Sequence, residues 1–349
     1  MIKSKTIIAT PPGATIKEQI KDRGMTQKEL ALRMQMSEKH ICELLKGNVQ
    51  LTPDVALRLE NILGIPASFW NNLEAIYRDK ITRANAENQI DTDIDAAKNI
   101  PFKEMVKFKW VKQAKNDVEK ITILRNFFEV SGLTALKNPE INKIACRRLV
   151  ETEHGDYALM TWAQKAKLEA RKHDVSDINI SKVKTILKDI RSMTTENPKT
   201  FCSKLEQCLA SCGIAIVFLP HIGGSFLHGA TFYDGKKIVM GLTVRGKDAD
   251  RFWFSLFHEI GHVVLGHIGK DCVTIDDERA ADLFAENSLI PQEKIKEFLA
   301  QNNFSKNNII KFANSIKIAP GIVVGRLQKE NYIGYNRMYD LKEKYAIVS

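Results

Sequence analysis

The chain has 349 residues, 44% hydrophobic and 27% charged, with a formal net charge of +10. That is enough for two or three domains with cores of their own. No apolar run approaches the roughly eighteen residues that a membrane span requires, and "MIKSKTIIATPPG" lacks the apolar core and cleavage site of a signal peptide. The expectation is a cytoplasmic protein with no membrane partner.

Six cysteines stand apart without a CxxC pair, the pattern of scattered buried thiols. Cys272 alone follows a histidine-rich stretch closely enough to approach a metal. The net charge divides as +3 over residues 1–78, +5 over 79–200 and +2 over 201–349, so a polyanion would meet the first two thirds.

Residues 14–78 read as successive short helices. "ATIKEQIKDRG" is amphipathic and stops at Gly24, and "TQKELALRM" opens with Thr26 and Glu29 at capping-box spacing. After the turn "QMS", Ser37 can cap "SEKHICELLKG", which ends at Gly47. "TPDVALRLENILG" then starts on Thr52 with Pro53 at its first position and closes at Gly64. "IPASFWNNLEAIYR" forms the last helix.

Two short helices across a three-residue turn make a helix-turn-helix, whose second helix enters the major groove of double-stranded DNA. Glu38, Lys39 and His40 would then face base edges and Gln27 a phosphate. Ser37, Glu43 and Lys46 complete the candidate contact set. A plain helical bundle without a ligand is the alternative.

Residues 79–195 read as a helical, lysine-rich middle region. In "PFKEMVKFKWVKQAK" the aromatic residues Phe102, Phe108 and Trp110 fit a helix core with a solvated lysine face better than a base-stacking platform. "RSMTTENPKT" supplies the boundary. Beyond it the pattern turns α+β. "IAIVFLP" is a buried strand, "GATFYDGKKIVMGL" a hairpin about Asp-Gly, and "DADRFWFSLFHEIGHVVLG" and "DDERAADLFAENSLIP" are two helices.

The first of these helices contains His258-Glu259-x-x-His262. Two histidines four apart project from one helical face, and the glutamate beside the first can hold a water as general base. A catalytic zinc needs a third protein ligand, which Glu278 offers from the next helix. Asp282, one turn further, can accept the outer N–H of a ligating histidine. His267 reads as structural. His228, Tyr233 and Arg251 are candidates to stabilise an oxyanion, and none stands out.

"TQKELALRMQMSEKHICELLKG" with "TPDVALRLENILGIPASFWNNLEAIY" resembles the lambda-repressor-like XRE helix-turn-helix of HigA-type antitoxins. "RFWFSLFHEIGHVVLGH" with "ERAADLFAENSLIP" resembles the ImmA/IrrE metallopeptidases, and "IAPGIVVGRLQ" is similar to the closing segment of regulators that join both modules. The resemblance implies a multidomain fold in four segments. These are an all-α helix-turn-helix domain (1–78), a helical middle region (79–195), an α+β zincin-like metallopeptidase domain (196–300) and a C-terminal helical extension (301–349). It implies one Zn2+ per chain on His258, His262 and Glu278, with Glu259 catalytic, and a homodimer on a DNA operator.

Two functions remain open on this reading. One is a regulator whose zinc endopeptidase cleaves a repressor or partner regulator. The other is an antitoxin-like repressor, paired with a cognate toxin, whose peptidase fold serves as sensor or docking surface. Fusion of the two modules leaves the substrate open, since most such peptidases act on a separate repressor.

Overall fold

A computed structural model describes residues 2–4, 6–88, 91–138, 153–224, 228–244, 247–270 and 273–346. Cys272 and its expected approach to a metal lie outside the described residues. The chain forms two compact units, Met1–Asp95 and Ala96–Ser349.

The first unit opens with an antiparallel pair, β1 (Ile2–Lys3) and β2 (Ile8–Ala9). Five helices follow: α1 (Pro12–Asp22), α2 (Gln27–Met34), α3 (Glu38–Lys46), α4 (Pro53–Leu63) and α5 (Ala67–Asn88). Caps set their limits. Thr26, Ser37 and Thr52 each accept the amide three residues on, and Gly47 and Gly64 end α3 and α4 with φ of +79° and +69°. Each such N-cap stabilises its helix by about 1 kcal/mol.

Two expectations need correction. Only half of the capping box at Thr26 forms, because the Glu29 carboxylate turns outward to Arg33 at 2.7 Å. The last helix does not stop near residue 78, since Trp70, Tyr77 and Ala84 continue one buried stripe at seven-residue spacing. Its far end is tied down where the Thr6 hydroxyl donates to Glu87 at 2.9 Å.

The boundary between the units falls within α6 (Asp91–Asn99). The second unit continues with α7 (Phe102–Lys107), α8 (Asp117–Phe128), α9 (Glu153–Ala170), α10 (Ile180–Ser192) and α11 (Pro198–Ala210). A three-stranded sheet comes next, of β3 (Ile214–Phe218), β4 (Gly229–Asp234) and β5 (Lys237–Leu242). Its order is β3-β5-β4, with β3 parallel and β4 antiparallel to β5. Then follow α12 (Ala249–Val264), α13 (Ile275–Leu289), α14 (Gln292–Ala300), α15 (Lys306–Ser315) and α16 (Pro320–Lys329).

Alternation along the strands explains why both faces of the sheet are covered. Ile214, Ile216, Ile238, Met240 and Leu242 join the core built with Trp253, Leu256, Phe257 and Ile260 of α12. Ala215, Val217, Ala230, Phe232 and Val239 point the other way, onto Trp162, Ala163 and Ala166 of α9. Gly241 lets the Trp162 ring lie on the sheet, for a Cβ there would stand 2.6 Å from it.

Segments expected to be separate therefore share one core. Val183, Ile190 and Met193 before residue 195 pack with Phe201 after it, and Ile309, Val323, Val324 and Tyr345 beyond residue 300 join the same cluster. The middle region supplies a face of the sheet rather than a linker, and Phe108 and Trp110 pack against that side.

Gly13 offers a direct test of the packing of α1 on α3. A Cβ at Gly13 would stand 2.2 Å from the Leu45 carbonyl oxygen, whereas one at Gly24, with φ +64°, would meet nothing within 4 Å among the described residues. Gly13→Ala should destabilise the first unit by about 3 kcal/mol through overpacking, and Gly24→Ala by only about 1 kcal/mol through backbone strain. Hydrogen exchange across α1 and α3 measures both; equal protection in the two variants would contradict the packing described.

Candidate metal centre and helix-turn-helix

The candidate metal ligands are brought together by two helices. In α12, His258 and His262 lie one turn apart and buried, 7% and 1% exposed. Gly261 faces α13 so closely that a Cβ there would stand 3.1 Å from Phe284 and 3.3 Å from Ala281. That approach sets Glu278 against both rings, with Oε2 3.4 Å from His258 Nε2 and Oε1 3.7 Å from His262 Nε2. One donor atom from each of the three residues falls within 4.8 Å of the others.

This arrangement fits a cation. Among the described residues neither buried Glu278 oxygen has a hydrogen-bond partner, and the two Nε2 atoms stand 3.0 Å apart. Buried carboxylate oxygens left so are costly unless a charge meets them. Two imidazoles and one carboxylate match the donor set of catalytic zinc sites.

The surrounding contacts orient these groups. Asp282 Oδ1 lies 2.8 Å from His258 Nδ1, on the side away from the cluster. Glu259, 5% exposed, accepts at 2.6 Å from the Thr231 hydroxyl of β4, and a Cβ at Gly229 would stand 2.7 Å from its other oxygen. His262 Nδ1 lies 3.1 Å from His267 Nδ1. The sequence pointed to His267 only as a structural residue and did not point to Thr231. Thr231 sits in a strand far from the helix in sequence and left no signal, whereas the Gly266-His267 pair after the motif was one.

Electrostatics split the cluster. Burial opposes a charge on His258, but the Asp282 and Glu278 carboxylates outweigh it and raise its pKa to about 9. Burial together with the His258 charge pushes His262 down to about 4. Burial lifts Glu259 to about 7 against the opposing pull of His258 and Thr231.

His228 and Arg251 line, with Asp282, a cavity of about 380 Å³. Tyr233 is 48% exposed beside Gly269. Nothing in these positions selects an oxyanion partner.

In the first unit, Gln27, Ser37, Glu38, Lys39 and Lys46 are exposed, and His40 and Glu43 are half-buried. The Ser37 hydroxyl is engaged as the cap of α3, and Glu43 binds Lys46 at 3.2 Å and Asn48 at 2.7 Å. Ile41, Leu44 and Leu45 hold α3 to the core, and Glu38 and Lys39 are exposed at its N-terminal end.

Comparison with known proteins defines the class of this unit. Residues 16–70 match the helix-turn-helix family, the kind of domain whose second helix reads the major groove. Over 80 residues the chain is 29% identical to the uncharacterized HTH-type transcriptional regulator YddM of Escherichia coli (strain K12), a match covering 23% of this chain and 81% of that protein. Among the described residues no helix is long and apolar enough to cross a membrane.

The Glu259 environment has a measurable consequence. A carboxyl whose folded pKa exceeds its unfolded value keeps its proton longer in the native state, so stability falls as pH rises between the two. Relative to Glu259→Gln, the chelator-treated wild type should lose on the order of 3 kcal/mol between pH 4.5 and about 7. Urea midpoints for both proteins across that window provide the check, and parallel curves would show that Glu259 is not protonated by its burial.

Proposed function

We propose that the chain is a sequence-specific DNA-binding transcriptional regulator carrying a zinc-dependent endopeptidase centre, and that it cleaves a repressor or partner regulator. The observation that carries the enzymatic half is Glu278, whose two buried oxygens face the ring nitrogens of His258 and His262 without a hydrogen-bond partner among the described residues. The match of residues 16–70 to the helix-turn-helix family supports the DNA-binding half.

His258, His262 and Glu278 would hold one zinc, which when bound supplies Lewis acidity to the carbonyl of a peptide bond. Glu259 takes the proton of the attacking water and returns it to the departing amine. The Thr231 hydroxyl occupies Glu259 Oε2, leaving Oε1 for that exchange. Asp282 orients His258 through its outer nitrogen.

Placing both activities on one chain concentrates the peptidase at the operator where its substrate sits, which raises effective concentration without tighter active-site binding. Two copies on a palindromic operator suit a helix-turn-helix that reads one half-site each. Lys39, exposed at the start of α3, is assigned to the base edges.

Metal analysis of the purified chain beside His262→Ala should find about one zinc in the wild type and none in the variant. Absence of zinc from both after loading would end the peptidase reading. Occupancy of DNA in cells should then fall on activation only when Glu259 is intact. Glu259→Gln behaving as wild type in repression and in toxin neutralisation would favour a sensor or docking role for the second unit.

On a duplex selected by the protein from a random pool, Lys39→Ala should weaken binding by about 1–3 kcal/mol. Unchanged affinity would remove Lys39 from the interface.

A further inference from the structure

The last turn of α12 does more than end a helix. His267 donates its backbone N–H to the His262 carbonyl at 2.9 Å, Gly266 donates to Val263 at 3.3 Å, and Gly266 has φ +75°. This is a Schellman motif, in which the residue after the left-handed glycine folds back onto the residue five before it. An apolar contact usually joins that pair. Here the pair is His267 and His262, and the contact is a hydrogen bond between their Nδ1 atoms at 3.1 Å.

His267 is buried, and its other nitrogen, Nε2, lies 3.3 Å from Asp277 Oδ1. Asp277 is the third residue of α13 and closes a complete capping box, accepting from the Thr274 amide at 3.0 Å. Lys270 binds the same carboxylate at 2.7 Å. The next residue is Glu278.

One proton arrangement satisfies every contact. If His262 is to ligate through Nε2, its Nδ1 must carry the proton and donate it to His267 Nδ1. His267 then carries its own proton on Nε2, the nitrogen facing Asp277. We infer that His267 and Asp277 are positioning residues, a clasp that holds His262 in its metal-binding tautomer and bonds it to the start of the helix bearing Glu278. The inference rests on the metal-site reading above. It gives the two histidine ligands different supports, a carboxylate behind His258 and a neutral imidazole behind His262.

The test is zinc affinity of the full chain, by competition with a chelator, in wild type, His267→Leu and His267→Asn. Leucine keeps bulk without a nitrogen, and asparagine sets an acceptor oxygen where Nδ1 stands. His267→Leu should bind zinc about 10- to 100-fold more weakly, and His267→Asn should recover most of the loss. In the zinc-loaded protein the downfield His262 Nδ1–H resonance should persist with asparagine and vanish with leucine. A purely structural role would not move that resonance selectively.

Equal affinity in wild type and His267→Leu would overturn the clasp while leaving the metal site standing. Equal weakness of both variants at an unchanged unfolding midpoint would also overturn it, since the acceptor would then count for nothing. A wild type that takes up no zinc would overturn the metal reading and the clasp together. Should His267→Leu fail to fold, His267→Asn decides: retained affinity with a retained resonance supports the clasp, and retained affinity without it overturns it.

Discussion

The close contact of α12 with α13 at Gly261 is the constraint on which the rest of the second unit depends. Helix axes usually stand 8–10 Å apart, as their contact side chains dictate. With no side chain at Gly261, Ala281 and Phe284 come up against the backbone of α12 one residue before His262. Glu278 lies one turn before Ala281 on the face so presented. A Cβ at 261 would require Phe284 or the Ala281 backbone to give by a few tenths of an ångström, close to Glu278 on the same helix. Trp253, Leu256, Phe257 and Ile260 of α12 are buried in the core that it shares with the sheet.

Around this contact the polar groups form a graded set. His258 is held between two carboxylates, His262 is backed by His267, and Glu259 is pressed against β4 by Thr231. A buried network of this kind stabilises one conformation only if each member has its partner. Glu278 is the member of this set whose oxygens lack a hydrogen-bond partner among the described residues.

Local signals were the legible part of this fold. Thr26, Ser37, Thr52, Gly47 and Gly64 bounded helices as their chemistry dictates, and the run from Gly229 to Leu242 formed its hairpin with Gly235 at φ +61° in the turn. The four-residue spacing of His258 and His262 needed only a helix to become a shared face. What could not be read was pairing over distance. Nothing local to Glu29 says that it will prefer Arg33, and nothing in β4 says that Thr231 will meet Glu259. The segment boundaries failed as guides for the same reason. Polar stretches such as "RSMTTENPKT" mark loops, and a loop between two helices of one core looks like a loop between two domains.

The indole of Trp162 rests on Gly241 in the middle strand of the sheet, its N–H donating to the Pro220 carbonyl at 3.1 Å. Between most helices and sheets lies a layer of interdigitated side chains that can repack when one side is pushed. At this point the layer is missing, and ring meets backbone. Interiors packed so tightly have low compressibility and pass strain on. A ligand or partner that displaced α9 would therefore move the sheet as a body, and with it the strand whose Thr231 holds the Glu259 carboxylate.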